Sequence, residues 1–203
     1  MTSLVIAIEG PSDTGKSTLI DGLARRFSEV DPLVFDCYVD HAGGDDKVPA
    51  LADTREGQAE ALRFFLGIEK SRYEMIGEGE RPKLVLMDRS VFSLLAHSYA
   101  VGVENSLPTL DDAVGSVSTA AEVIIPDLVL YLKASASTIA RRRDPSDEGR
   151  WFTSERFNGH INAFYDGPVD QCGISTDIRR LDASRDAGAV LEDATRLIVE
   201  SMP

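Results

Sequence analysis

A chain of 203 residues, 43% of them hydrophobic, is long enough for one domain with a sizeable buried core. Its formal net charge of −13 argues against a nucleic-acid polymer as partner, because such binding needs a basic surface that releases counterions; a local positive focus can still collect small anions. No apolar run approaches the roughly eighteen residues of a membrane span and the N-terminus lacks a signal-peptide layout, so the expectation is a cytoplasmic protein with no membrane partner.

The first predicted element is a strand over Ser3 to Ile8 (SLVIAI), a β-branched run bounded by glycine. Gly10 to Thr18 (GPSDTGKST) then fits G-x-x-x-x-G-K-[ST], and Ser17 to Ser28 follows with helical spacing at Leu19, Ile20, Leu23 and Phe27. Strand, glycine loop and helix are the setting in which this motif cradles phosphate. Gly10 and Gly15 let the backbone turn tightly, Ser12, Asp13, Thr14 and Thr18 complete the loop, and its N–H groups and the helix dipole supply fixed positive partial charge. Lys16 is the expected bridge between β- and γ-phosphates, and Ser17 the expected Mg²⁺ ligand.

A second strand is predicted over Pro32 to Cys37, a polar loop over His41 to Ala50, and a long helix over Thr54 to Gly77 with apolar positions at Ala61, Leu62, Phe64, Phe65, Ile68 and Met75. The strand Lys83 to Met87 ends in Asp88-Arg89-Ser90. A carboxylate at the carboxyl end of an apolar strand lies where open sheets bind ligands, so Asp88 is read as the acidic partner of the Mg²⁺ site, a role compatible with capping the next helix. Arg89 can reach the acceptor or the transferring phosphoryl. Helices follow near Val91 to Val101 and Leu110 to Ala121, then a strand over Asp127 to Leu132.

Arg141-Arg142-Arg143 closes a helix from Ser137, and Arg150 follows after Asp144 to Gly149 in a charged loop. Part of this cluster complements the helix dipole, but so many arginines in an acidic chain read as a lid, about 141–153, that supplies cations to the transition state. Helix near Ser154 to Tyr165, strand Ile178 to Leu181 and helix Ala187 to Val199 complete the chain. Strands alternating with helices predict an α/β fold with a parallel sheet, and with no repeat or linker residues 1–203 form a single domain. Cys37 and Cys172 match neither a metal spacing nor a disulfide framework.

The order of IEGPSDTGKST, DRS, PDLVLYL, the arginines and RRLDAS resembles the thymidylate kinase and deoxynucleoside kinase branch of P-loop kinases, over nearly the whole chain. The resemblance implies a three-layer P-loop NTPase fold with a five-stranded parallel sheet, ATP and Mg²⁺ as cofactors, and a small-molecule acceptor under the long helix. It places Arg141 or Arg143 along the adenine or phosphates, Asp182 and Ala183 at the border of the adenine, and Arg143 and Arg150 among the catalytic groups. Phe64 matches the aromatic that stacks on the acceptor base, with Ile68 and Arg72 further along the helix, and His97 and Tyr99 on the next helix are further candidates. A homodimer through the long helices is another implication.

Two departures bear on the acceptor. Thymidylate kinases carry an acid two places after the first P-loop glycine, where this chain has Ser12 followed by Asp13; they also carry an arginine after strand two, where this chain reads Tyr38 to Gly44 without one. Deoxynucleoside kinases place a carboxylate near that point as base, which makes Asp40 the candidate base, with His41 second. The leading expectation is ATP-dependent phosphoryl transfer to a nucleotide or nucleoside. A kinase of a sugar or natural-product hydroxyl on the same fold is the alternative, and a nucleotide-hydrolysing switch or assembly protein is the alternative of another class.

Overall fold

The computed structural model describes residues 3–49, 53–77, 81–143 and 154–202. Strands β1 (Leu4–Glu9), β2 (Leu33–Phe35), β3 (Leu84–Asp88), β4 (Leu128–Lys133) and β5 (Asp177–Asp182) pair in parallel in the order β2-β3-β1-β4-β5. β1 and β3 are buried along their whole length, which is why they read as continuous apolar runs rather than alternating ones. The two-residue period divides them between two cores. Val5, Ala7, Val85, Met87, Val129 and Tyr131 face one side, and Leu4, Ile6, Ile8, Leu86, Leu130 and Leu132 face the other.

On the first side lie α2 (Tyr38–His41), α3 (Arg55–Gly77), α4 (Val91–Asn105), α5 (Thr109–Thr119) and α7 (Glu155–Tyr165). On the second lie α1 (Lys16–Arg26), α6 (Ala136–Arg142) and α8 (Ala187–Ser201). The result is the three-layer α/β arrangement that the alternation of elements predicts. Helix starts follow capping chemistry: the hydroxyls of Ser90, Ser135 and Ser154 and the carboxylate of Asp186 accept first-turn N–H groups of α4, α6, α7 and α8. Boundaries depart from expectation at two places. α4 runs on to Asn105, where Ser106 in the left-handed conformation ends it; β2 stops at Phe35, and the segment from Tyr38 expected as a loop forms the short α2, anchored by the buried ring of Tyr38.

A buried ion pair fixes α3 against the edge of the sheet. Glu69 and Arg72 are fully buried and 3.0 Å apart. The Tyr38 hydroxyl donates to Glu69 Oε1 at 2.9 Å, and the Arg72 guanidinium lies 4.4 Å from the centre of the Tyr38 ring. Arg72 also donates to the carbonyls of Arg89, at 3.2 Å, and Asp36. One side chain thus joins α3 to the turn after β2 and to the turn after β3.

Candidate active site

The loop between β1 and α1 has the geometry that its glycines require. Gly10 has φ 141°, and a Cβ there would lie 2.6 Å from the Leu132 carbonyl oxygen on β4; Gly15, at φ 96°, starts α1 without a side-chain cap. No acidic residue occupies the first turn of α1, so its N–H groups face the loop uncompensated, as an anion site requires. Thr14 Oγ1 and Lys16 Nζ both donate to the Pro11 carbonyl, at 2.9 and 2.8 Å, and curl the loop inward. Burial, and then the field of Arg89, bring Lys16 down to about 7 from its ordinary value of 10.5; Asp88, Glu9 and Asp13 oppose the drop. Ser17 and Thr18 are exposed on the first turn of α1.

Ser17 Oγ donates to Asp88 Oδ2 at 2.9 Å. The other oxygen, Asp88 Oδ1, is buried without a hydrogen-bond partner among the described residues. An orphaned carboxylate oxygen beside a hydroxyl is a donor set that fits Mg²⁺, which takes one or two protein oxygens and fills its octahedron with water and phosphate. Among the described residues no cluster of three or more His, Cys, Asp or Glu side chains offers another metal site.

The turn after β3 is strained. Arg89 has φ 71°, uncommon for a side chain of its size, and its surroundings hold it there. Its N–H donates to the Ile8 carbonyl at 3.2 Å, and its carbonyl accepts from Arg72. Beneath it lies Glu9, fully buried at the end of β1, which accepts from Ser90 N at 2.7 Å, Ser90 Oγ at 2.8 Å and Ser93 Oγ at 2.5 Å. Burial pushes the Glu9 carboxyl up; the Ser93 hydroxyl and the Arg89 charge pull it back. So held, the Arg89 guanidinium donates to the Gly10 carbonyl and to Ser93 Oγ, both at 3.3 Å, and lies across the mouth of the phosphate loop.

Beyond Arg89 opens a cavity of about 560 Å³. Ser12 and Arg89 line its inner end. α3 contributes Gln58, Ala61, Leu62 and Phe65, one face at helical spacing, and α4 contributes Ser93, Leu94, His97 and Ser98. Cys37, Tyr38 and Val39, followed by Asp45, Asp46, Val48 and Pro49, form the remaining wall. Burial and the charges of Arg89 and Lys16 bring His97 down to about 3, so its imidazole is neutral. Its ring meets Phe157 edge-on, with centroids 5.3 Å apart.

Several expected acceptor residues lie elsewhere. Phe64 is 38% exposed on the outer side of α3; Phe65, one position and about 100° around the helix, faces the cavity. Ile68 is packed in the core, and Arg72 is buried behind the wall, its two terminal nitrogens held by Glu69 and two carbonyls and its guanidinium laid over the Tyr38 ring. Asp40 is exposed at the end of α2, off the cavity wall, and accepts from the Cys37 thiol at 3.0 Å. His41 follows it, also off the wall, with its imidazole pulled down by partial burial and by Arg72.

Of the arginine cluster, Arg142 reaches the phosphate loop, donating to the Thr14 carbonyl at 3.0 Å. Arg141 donates to Thr138 on its own helix and Arg143 is half-buried at the end of α6. Arg150 and lid residues 144–153 lie outside the described residues. Asp182 and Ala183 end β5 beside α6: Ala183 N donates to the Lys133 carbonyl at 2.9 Å and Asp182 Oδ1 caps Ser184 N at 2.9 Å. Sequence reasoning passed over Glu9, Gln58, Phe65 and Arg142 as site residues. A glutamate within an apolar strand, directly before the glycine loop, was a legible signal for the first.

A model of the AAA domain family matches residues 5–165. The cytidylate kinase of Mycolicibacterium paratuberculosis is 29% identical, over 70% of this chain and 69% of its own. Among solved structures, the deoxyadenosine kinase of M. mycoides with bound dATP superposes with a TM-score of 0.71 at 18% identity, covering 97% of this chain and 100% of that one. The thymidylate kinase of Candida albicans does so with a TM-score of 0.69 at 19% identity, covering 98% and 92%. The fold is therefore that of nucleotide and nucleoside kinases, and with a family model spanning most of its length the chain belongs to the AAA domain family of P-loop proteins.

Proposed function

We propose that this protein is an ATP-dependent kinase of a nucleoside or nucleotide acceptor. One observation carries the reading: the phosphate loop, the Ser17–Asp88 pair and Arg89 converge at the inner end of a cavity of about 560 Å³ that can hold an acceptor next to the phosphoryl to be moved. A nucleotide-hydrolysing switch needs no such cavity beside its γ-phosphate. The names of the relatives, a cytidylate kinase and kinases of deoxyadenosine and thymidylate, support the same reading.

In this reading the loop N–H groups and the start of α1 bind the donor's phosphates, and Lys16 leaves the Pro11 carbonyl to bridge them. A triphosphate supplies negative charge that offsets the hydration Lys16 loses on burial, so donor binding favours the protonated amine. Ser17 and Asp88 would hold Mg²⁺, which neutralises phosphate charge. Arg89 stands between loop and cavity and stabilises charge on the transferring group, with Arg142 on the opposite side against Thr14. Thr18 lies beside Ser17 on the donor side, and Asp182 and Ala183 border the adenine. The acceptor rests between Phe65 and Leu94, which excludes water from the reacting oxygen. Single-turnover incubation with Mg·ATP and a panel of acceptors tests this: ADP release that depends on acceptor is expected, and turnover unaffected by any acceptor would overturn the kinase assignment.

A further inference from the structure

We infer that the acceptor enters unphosphorylated, as an uncharged or cationic alcohol rather than a phosphate monoester. The inference rests on the proposed kinase function and names the acceptor class of that cavity. A phosphate monoester carries a charge of about −1.5 to −2 at pH 7, and sites that bind one supply bidentate arginines or several N–H donors. Among the described residues Arg89 is the one lysine or arginine on the cavity wall, and it is turned toward the Gly10 carbonyl, where the transferring phosphoryl needs it.

The other cations near the cavity are engaged elsewhere. Arg55, at the start of α3, clamps both oxygens of Asp112 at 2.6 Å. Arg72 is sealed against Glu69, and Lys47 pairs with Asp46 at 2.9 Å. The wall instead carries the carboxylates of Asp45 and Asp46, the amide of Gln58 and the neutral imidazole of His97. A dianion would lose its water to meet one shared arginine and no cation of its own, with the Asp46 charge already taken up by Lys47. A neutral alcohol with a flat apolar body meets Phe65, Leu62 and Leu94, and its polar edge finds Gln58 and His97, which donate or accept without charge.

The reaction balances with no further reactant. The acceptor oxygen forms a bond to the γ-phosphorus, the bond from that phosphorus to the β–γ bridging oxygen breaks, and ADP leaves with that oxygen; the hydroxyl proton passes to an oxygen of the transferred phosphoryl group and is lost to solvent after release. The product is then a dianion in a cavity whose one arginine is shared with the donor, so the same shortage of cations that excludes phosphorylated acceptors favours product release and prevents a second transfer.

The test compares matched pairs under Mg·ATP: cytidine with CMP, deoxycytidine with dCMP, deoxyadenosine with dAMP, and thymidine with dTMP. Transfer to the unphosphorylated member is expected to exceed that to its monophosphate by about a hundredfold in kcat/KM. The ratio should narrow in D46N, which removes one carboxylate and releases Lys47. A monophosphate preferred within its pair overturns the inference while leaving the kinase function standing; transfer to no member of the panel overturns both. A ratio that favours the unphosphorylated member but is unchanged in D46N and in a D45N/D46N double variant also overturns the charge argument.

Discussion

Lys16 is a buried cation whose nearest hydrogen-bond acceptor is a carbonyl, so the protein without nucleotide should become more stable when that charge is removed. The drop from 10.5 to about 7 corresponds to about 5 kcal/mol, at 1.36 kcal/mol per pH unit, as the full cost of keeping the amine charged in the folded chain. Below about pH 7 the amine is protonated both folded and unfolded, and the whole cost applies. Between about 7 and 10.5 the unfolded chain holds the extra proton, so the stability of the wild type rises with pH as the cost is relieved. Lys16→Met keeps the apolar stem and removes the charge. Its stability advantage over wild type should be on the order of 4–5 kcal/mol at pH 6 and about 2 kcal/mol at pH 9, as measured by urea unfolding without nucleotide. The narrowing with pH, about 2–3 kcal/mol, is the informative quantity, since packing differences between Lys and Met do not titrate. An advantage that stays constant or grows between pH 6 and 9 would refute the reasoning, as would a variant less stable than wild type at pH 6.

Ser17→Ala and Asp88→Asn should each raise the Mg²⁺ concentration for half-maximal transfer by roughly 10- to 100-fold while leaving the unfolding free energy within about 1 kcal/mol of wild type; a metal titration of the rate reads this. Arg142→Ala should lower kcat by at least ~10-fold and Arg141→Ala by much less, because only the former contacts the loop; equal losses would remove Arg142 from the donor site. Phe65→Ala should raise the acceptor KM about tenfold or more, whereas Phe64→Ala leaves it near wild type, a contrast that steady-state kinetics decides. Glu69→Ala leaves the Arg72 charge buried without its carboxylate and should cost about 3–5 kcal/mol in urea unfolding, while Tyr38→Phe should cost about 1 kcal/mol.

The donor half of the site was legible because its chemistry is contiguous. Gly10 to Thr18 lies in one stretch, and Asp88-Arg89 follows a strand whose apolar run leaves no doubt where it ends, so position along the chain already gives position in space. The acceptor half depends on helix rotation. Phe64 and Phe65 both satisfy the apolar period of α3, and which of them faces the cavity is set by Tyr38, against whose ring Phe65 packs at 5.6 Å. That partner comes from another element. Arg72 matched a site residue by spacing, but its burial depends on Glu69, Tyr38 and two backbone carbonyls contributed by three segments. Asp40 is the candidate base by resemblance to deoxynucleoside kinases, which carry a carboxylate near that point; with Tyr38 drawn into the core a helical turn forms there and Asp40 lies exposed, off the cavity wall. Arg142 could not be told from Arg141 and Arg143 by sequence, since only the phase at which α6 meets the glycine loop distinguishes them.

The ion pair of Glu69 and Arg72 divides α3 into two parts with separate duties. The turns from Gln58 to Phe65 line the cavity, while those around Glu69 and Arg72 are fastened to the turns that carry Asp36 and Arg89. Substitutions at Gln58, Ala61 and Leu62 can therefore change what is recognised without loosening how Arg89 is aimed, whereas Phe65 also braces the Tyr38 ring on which Arg72 lies. A relative with a different acceptor can keep the same anchor and differ only in the first three turns of the helix, which makes that stretch the place to redirect the protein toward a new alcohol.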